Sequence, residues 1–198
     1  DAGGDIVLQA GNDLTLQAAT VVSDAGDIAL SAGRDIALAT ASETHGLQVD
    51  ETKKKSGVLS SKTTTTHDAY RDSYAIGTVI SGETVQIAAG RDITTQAAQI
   101  VGSGDVLLAA GRDIDIGTGE NTHTETHART VKKSGVFGSG GVGFTLGKQQ
   151  VDTTADLEEV THSGSLIGSL DGRVDIVAGG DVTVTGSEVI SQDGIGIS

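Results

Sequence analysis

The amino-acid sequence predicts an all-β fold: a parallel β-helix, or solenoid, interrupted by two β-hairpin-like excursions. Three observations predict it. An Asp in a Gly-containing turn, followed by apolar–x–apolar, recurs along the 198 residues. Within a pair of these units the Asp residues lie 8 apart (5 and 13, 27 and 35, 105 and 113), and pairs follow each other at 21 or 22 residues. Two long polar stretches of different composition separate the paired units, and they resemble each other. Self-similarity at a fixed period is the mark of stacked repeats, each burying its neighbour's apolar face.

The first segment, roughly residues 1–38, holds Asp5-Ile6-Val7-Leu8, Asp13-Leu14-Thr15-Leu16, Asp27-Ile28-Ala29-Leu30 and Asp35-Ile36-Ala37-Leu38. The period of two places the first and third apolar side chains on one face of a short strand. Residues 81–116 repeat the pattern with Val85-Gln86-Ile87, Asp92-Ile93, Asp105-Val106-Leu107-Leu108 and Asp113-Ile114-Asp115-Ile116, and residues 171–198 with Val174-Asp175-Ile176 and Asp181-Val182-Thr183-Val184. Eight residues cannot hold a crossover helix, which excludes a βαβ arrangement. About five stacked coils account for the pattern, so residues 1–198 are expected to be a single β-helix fragment.

Small-residue corners follow the strands: Ala10-Gly11-Asn12, Ala32-Gly33-Arg34, Ala89-Gly90-Arg91, Ala110-Gly111-Arg112 and Ala178-Gly179-Gly180. Gly11, Gly33, Gly90, Gly111 and Gly179 are expected to supply the positive φ that tight corners often need. Asp13, Asp35, Asp92, Asp113 and Asp181 are expected to be structural turn residues that accept hydrogen bonds from nearby backbone N–H groups. Stacking repeats these carboxylates about every 4.8 Å, an arrangement that also raises a calcium ladder. The calcium nonapeptide Gly-Gly-x-Gly-x-Asp is not reproduced, however, and Arg34, Arg91 and Arg112 stand beside the column to screen it, so turn capping is the expected role.

The two excursions, roughly 39–80 and 117–170, carry all seven Lys, all five His and all four aromatic residues. They hold 11 acidic and 9 basic residues, whereas the coils hold 16 acidic residues and four Arg. Thr44-His45 precedes Lys54-Lys55-Ser56-Gly57-Val58, and Thr122-His123 precedes Lys132-Lys133-Ser134-Gly135-Val136. A β-prone run on either side of a Ser-Gly turn reads as a hairpin.

Composition closes several classes of function. No Cys means no disulfide scaffold, thiolate zinc site or cysteine nucleophile. A formal charge of −14 argues against nucleic acid as a partner, since phosphate neutralisation needs a basic surface. No apolar run is long enough for a transmembrane helix, and no signal peptide opens the chain. A first residue that falls inside a repeat suggests a piece of something longer.

The Ala-Gly-x-Asp-Ile-x-Leu coils, alternating with Lys-Lys-Ser-Gly excursions at 78–89 residues, resemble filamentous haemagglutinin repeats of two-partner secretion exoproteins. The match is closest to the second repeat region of contact-dependent growth inhibition toxins of the CdiA type, and it covers essentially the whole chain. The resemblance implies a right-handed β-helix, export through an outer-membrane partner in a Gram-negative bacterium, and display at the cell surface. In the growth-inhibition members it implies a part in delivering the toxin across the target's outer membrane.

Three further sites are weighed on their residues. His123, Glu125 and His127 fall on one face of a strand, where imidazole and carboxylate suit a first-row metal; the alternative is a solvated polar strand, and no metal or other cofactor is expected. Gly135–Gly147 is apolar, Gly-rich and uncharged, with Phe137 and Phe144 inside it and Lys132, Lys133 and Lys148 beside it. It suits a bilayer interface, or packing of the two Phe on the coil or the other excursion. Tyr70 and Tyr74 join Phe137, Phe144, Lys132 and Lys133 as membrane or partner contact residues. Polysaccharide-acting enzymes also use β-helices, but the carboxylates here recur at repeat positions and none stands apart as a catalytic pair, so no enzyme activity is expected. The expected function is a structural segment that presents its excursions to a target outer membrane or surface receptor during toxin delivery, the alternative being an adhesin segment that binds glycans or proteins. Expected partners are neighbouring repeats of the parent chain, with end-to-end association of the isolated segment through its open strand edges.

Overall fold

The computed structural model describes residues 3–138 and 144–198, which form strands and turns without a helix. The chain divides into two compact units, one of Asp1–Glu43, Tyr74–Asn121 and Thr161–Ser198, the other of Thr44–Ser73 and Thr122–Val160.

The first unit is a right-handed parallel β-helix of five coils and the first strand of a sixth. Coil one contains β1 (Ile6–Ala10), β2 (Leu14–Gln17) and β3 (Thr20–Val22). Coil two contains β4 (Ile28–Ala32) and β5 (Ile36–Ala39), then the first excursion, β6 (Ala41–Ser56) and β7 (Ser60–Ile76), and closes with β8 (Val79–Gly82). Coil three is β9 (Val85–Ala89), β10 (Ile93–Gln96) and β11 (Gln99–Gly102). Coil four runs through β12 (Val106–Ala110) and β13 (Ile114–Gly117), then the second excursion, β14 (Gly119–Gly138) and β15 (Phe144–Ser163), and ends with β16 (Leu166–Ser169). Coil five is β17 (Val174–Ala178), β18 (Val182–Val184) and β19 (Glu188–Ile190), and β20 (Ile195–Ile197) opens the sixth.

Equivalent strands stack into three parallel sheets, ordered β1-β4-β9-β12-β17-β20, β2-β5-β10-β13-β18 and β3-β8-β11-β16-β19. The registers are those the repeat spacing demands. Ile6, Ile28, Val85, Val106, Val174 and Ile195 form one inward column, and Leu14, Ile36, Ile93, Ile114 and Val182 another. In the middle coils these side chains are fully buried, and each contributes about 1.5–3 kcal/mol on leaving water. The one polar break in an inward column of the second sheet, Thr95, is also fully buried. Its hydroxyl lies 3.2 Å from Ser165 Oγ, which donates to Gly117 O (2.7 Å) and accepts from Ala98 N (3.0 Å), so burial leaves no polar group unpaired there.

The corner glycines serve a purpose other than the expected one. None of Gly11, Gly33, Gly90, Gly111 and Gly179 has a positive φ. Each coil instead stacks so closely at this corner that a Cβ on Gly33, Gly90, Gly111 or Gly179 would lie 2.3 Å from the carbonyl oxygen of the glycine one coil before. Their N–H groups donate to Ala10, Ala32, Ala89 and Ala110 carbonyls at 3.0 Å, so the hydrogen-bond ladder continues around the bend. Close approach, not backbone handedness, requires glycine here.

The second unit is a four-stranded sheet ordered β6-β7-β14-β15. β6 and β7 form a hairpin through Gly57, whose N–H donates to Ser60 O (2.7 Å), whereas Ser134-Gly135, expected to be the equivalent turn, lies within β14 and pairs with Ser61 and Ser60. The excursions do not stay separate: β7 pairs antiparallel with β14, from Thr122 opposite Ser73 to Gly135 opposite Ser60. No described residue of this unit is buried. Its stability rests on the β-preference of Thr-rich strands, the backbone ladder and cross-strand side-chain pairs.

Candidate functional site

In the solenoid, the predicted Asp column is a chain of ion pairs and caps. Arg34 Nε donates to Asp13 Oδ1 at 3.0 Å, Arg91 Nε to Asp35 Oδ1 at 3.0 Å and Arg112 Nε to Asp92 Oδ1 at 2.7 Å, each guanidinium reaching the second carboxylate oxygen through Nη2. Arg34, Arg91 and Arg112 thus each bind the Asp of the preceding coil in the bidentate geometry that suits a guanidinium. Asp92 N and Asp113 N approach Asp35 Oδ1 and Asp92 Oδ1 at 3.4 and 3.3 Å, and Asp181 N donates to Asp113 Oδ1 at 2.9 Å. Arg91 and Arg112 hold the carboxyls of Asp35 and Asp92 below the usual aspartate range. Opposite charges one coil apart relieve the repulsion that stacking would impose. The row ends at Gly180, where a Cβ would lie 2.4 Å from Asp113 Oδ1.

The excursion sheet holds the remaining candidates, arranged in two groups. The first is an acid–imidazole ladder. His123 stands opposite Asp72, Glu125 opposite Tyr70 and His127 opposite Asp68. His123 Nδ1 bonds Asp72 Oδ1, and His127 Nδ1 lies 2.9 Å from Asp68 Oδ1. Glu125 sits between the imidazoles, with Oε1 at 3.1 Å from His123 Nε2 and Oε2 at 3.5 Å from His127 Nε2. The bond to Asp72, then that to Glu125, raises the His123 pKa; Asp68 first, with Glu125, raises that of His127. The three residues expected on one strand face are indeed together, but carboxylates occupy both nitrogens of each ring. Among the described residues no group of three or more His, Asp or Glu is arranged to hold a metal.

The second group lies near the hairpin ends. Lys133 is directly opposite Lys62, and Lys132 is opposite Thr63. Ser61 Oγ and Ser134 Oγ, the next pair along, are 2.9 Å apart. Lys55, Lys62 and Lys133 share one groove of about 340 Å³ with Ser60 and Ser61, while Lys132, Lys133 and Lys148 share another of about 300 Å³ with Gln149 and Gln150. A third, of about 600 Å³, is lined by Ser and Gly with Leu59, Leu146 and Lys148. Lys53 lies 2.7 Å from Glu51. Like charges directly opposite in a sheet repel, and Lys62 and Lys133 are such a pair.

Tyr70 and Tyr74 are exposed in β7, Tyr70 against the acid–imidazole ladder. Phe137 and Phe144 are strand positions in β14 and β15 whose side chains lie outside those described, as do residues 139–143 of the Gly-rich run. Asp68, Asp72, Lys55 and Lys62 were not singled out from sequence. A signal for the two acids was present: Asp68 and Asp72 are four apart, as are His123 and His127, the spacing of side chains that can meet across two antiparallel strands.

The hemagglutinin repeat model matches residues 1–70 and 56–197. The chain is 39% identical over 201 residues to a 16S rRNA endonuclease CdiA of Enterobacter cloacae, covering all of this chain and 6% of that protein. It is also 39% identical over 202 residues to a tRNA nuclease CdiA of Escherichia coli strain STEC_O31, covering all of this chain and 5% of that protein. With a tRNA nuclease CdiA-2 of Burkholderia pseudomallei strain 1026b it shares 31% over 191 residues, 96% of this chain and 6% of the relative. The nuclease names describe whole proteins of which this chain spans about a twentieth. No solved structure matches the chain.

Proposed function

This chain belongs to the hemagglutinin repeat family, and from that premise we propose that its excursion sheet engages a target cell envelope during contact-dependent toxin delivery. Its coarser role is that of a structural repeat segment of a large, secreted, surface-displayed exoprotein of the CdiA-like kind. The solenoid sets reach; the excursions carry the partner chemistry. The observation that supports this reading is the basic, hydroxyl-lined end of the sheet, where Lys62 faces Lys133 in a chain of net charge −14. Bacterial envelopes present dense phosphate and carboxylate groups, and clustered Lys near such a surface contribute about 1 kcal/mol each.

The test is flotation with lipopolysaccharide-containing vesicles against neutral phosphatidylcholine vesicles. The unmodified chain is expected to float with the first and lose binding as salt rises, and Lys62→Glu/Lys133→Glu is expected to remain at the bottom. Equal recovery of the two proteins contradicts the assignment. Binding to soluble glycan with none to vesicles favours adhesion instead.

A further inference from the structure

The two outer strands of the excursion sheet carry exposed apolar side chains: Leu47 (54% exposed) and Val49 on β6, Leu157 (53%) and Val160 on β15. Long edge strands with exposed apolar residues are templates for further pairing. The joint already present between the excursions indicates what these edges fit.

Ile36 and Ile114 hold the same register position, both opposite Ile93. Leu47 and Glu125 each lie 11 residues further on, which makes them counterparts in the two excursions. Val79 and Leu166 likewise share a position opposite Gln99, and Tyr70 and Leu157 each lie 9 residues earlier. Glu125 faces Tyr70 across the β7–β14 joint. The same joint made once more sets Leu47 of one repeat opposite Leu157 of another. The neighbouring positions follow. His127 opposite Asp68 becomes Val49 opposite Ala155, and His123 opposite Asp72 becomes His45 opposite Glu159. Two apolar pairs and one acid–imidazole pair thus meet in a register fixed without reference to their chemistry.

The strand count agrees. Excursions leave after β5 in the second coil and after β13 in the fourth, and each contributes two strands. A repeat of two coils therefore adds two strands to the excursion sheet and two to each solenoid sheet.

We propose that the outer edge of β15 is a docking edge for β6 of another copy of this repeat, with Leu157 opposite Leu47, so that excursions of successive repeats build one continuous antiparallel sheet. The interface is heterologous and propagates rather than closes.

The chain's lack of Cys makes the test clean. Leu47→Cys and Leu157→Cys chains are prepared separately, their folds checked by circular dichroism, and mixed under mild oxidation. Directly opposite residues in antiparallel strands meet disulfide geometry. The mixed 47–157 dimer is expected to form at least about tenfold faster than the mixed product of Leu47→Cys with Val151→Cys, a site roughly 20 Å along the strand from Leu157. Leu157→Asp is expected to reduce association seen by sedimentation. Equal rates for the two mixtures overturn the proposal, as does association through the coil ends without a register preference, or a chain that stays monomeric at high micromolar concentration.

Discussion

The solenoid and the excursion sheet use the same strand geometry under opposite rules of burial. In the solenoid, strands of three to five residues point Ile, Leu and Val into columns that are fully buried in the middle coils. In the sheet, strands of 16 to 20 residues expose both faces, and no described side chain is buried. Short strands survive because stacking supplies neighbours above and below; long polar strands survive because cross-strand pairs and a long ladder replace a core. The consequence is a division of labour. The solenoid has little freedom to vary inward, while the sheet carries Lys, His and Tyr at positions that are not buried.

That contrast breaks first at the core. Ile93→Ala in the middle coil is expected to cost about 2–5 kcal/mol by denaturant unfolding, the usual cost of deleting a buried Ile side chain. Leu157→Ala in the sheet is expected to change the monomer by no more than about 0.5 kcal/mol. Comparable losses would mean that the sheet hides a core of its own. The glycine column gives the next sharpest comparison. Gly90→Ala forces a Cβ against a backbone carbonyl and is expected to cost about 1–3 kcal/mol, whereas the same change at Gly11, which has open space beside it, is expected to cost a few tenths. Equal melting temperatures for the two variants would remove close approach as the reason for glycine.

The imidazole pairs of the sheet and the Arg–Asp pairs of the solenoid should respond to pH in opposite directions. His123 and His127 have raised folded-state pKa values, so their pairing contributes fully below the ordinary value of 6.5 and is lost as pH rises through the folded value. Asp35 and Asp92 have lowered values, so their contribution is present above the ordinary 3.8 and is lost as pH falls through the folded value. Amide exchange is therefore expected to loosen around His123 and His127 as pH rises above 6.5, and along the solenoid's Asp column as pH falls below 3.8. Loosening in the reverse directions would contradict these pairings. The smallest effect is Arg112→Ala, an exposed pair expected to lower the melting temperature slightly and less so in high salt.

Much of the solenoid was legible because its information is periodic. Ile6, Ile28 and Val85 recur in the sequence at the positions where they stack in space. The reason for the corner glycines was not legible, since a position that needs no side chain looks the same whether φ or a neighbouring carbonyl demands it. The joint of β7 with β14 was also hidden. Each excursion reads as a complete hairpin, its strands lack apolar alternation, and one of the pairs in register, Lys62 with Lys133, is a like-charge pair that no pairing rule favours. The acid–imidazole ladder was missed for the same reason. His123, Glu125 and His127 can be placed on one face from a single strand, but Asp68 and Asp72 become their partners only once the second strand is laid beside it.

The union of the two excursions in one sheet is therefore the claim on which the rest depends. Cross-strand Hα–Hα contacts in the nuclear Overhauser spectrum of the labelled chain test it most directly. They are expected at alternate pairs between Ser60–Ser73 and Thr122–Gly135, in the register that sets Thr66 opposite Arg129 and Tyr70 opposite Glu125. Contacts confined to β6 with β7 and β14 with β15, with none between β7 and β14, would show two independent hairpins and contradict the account.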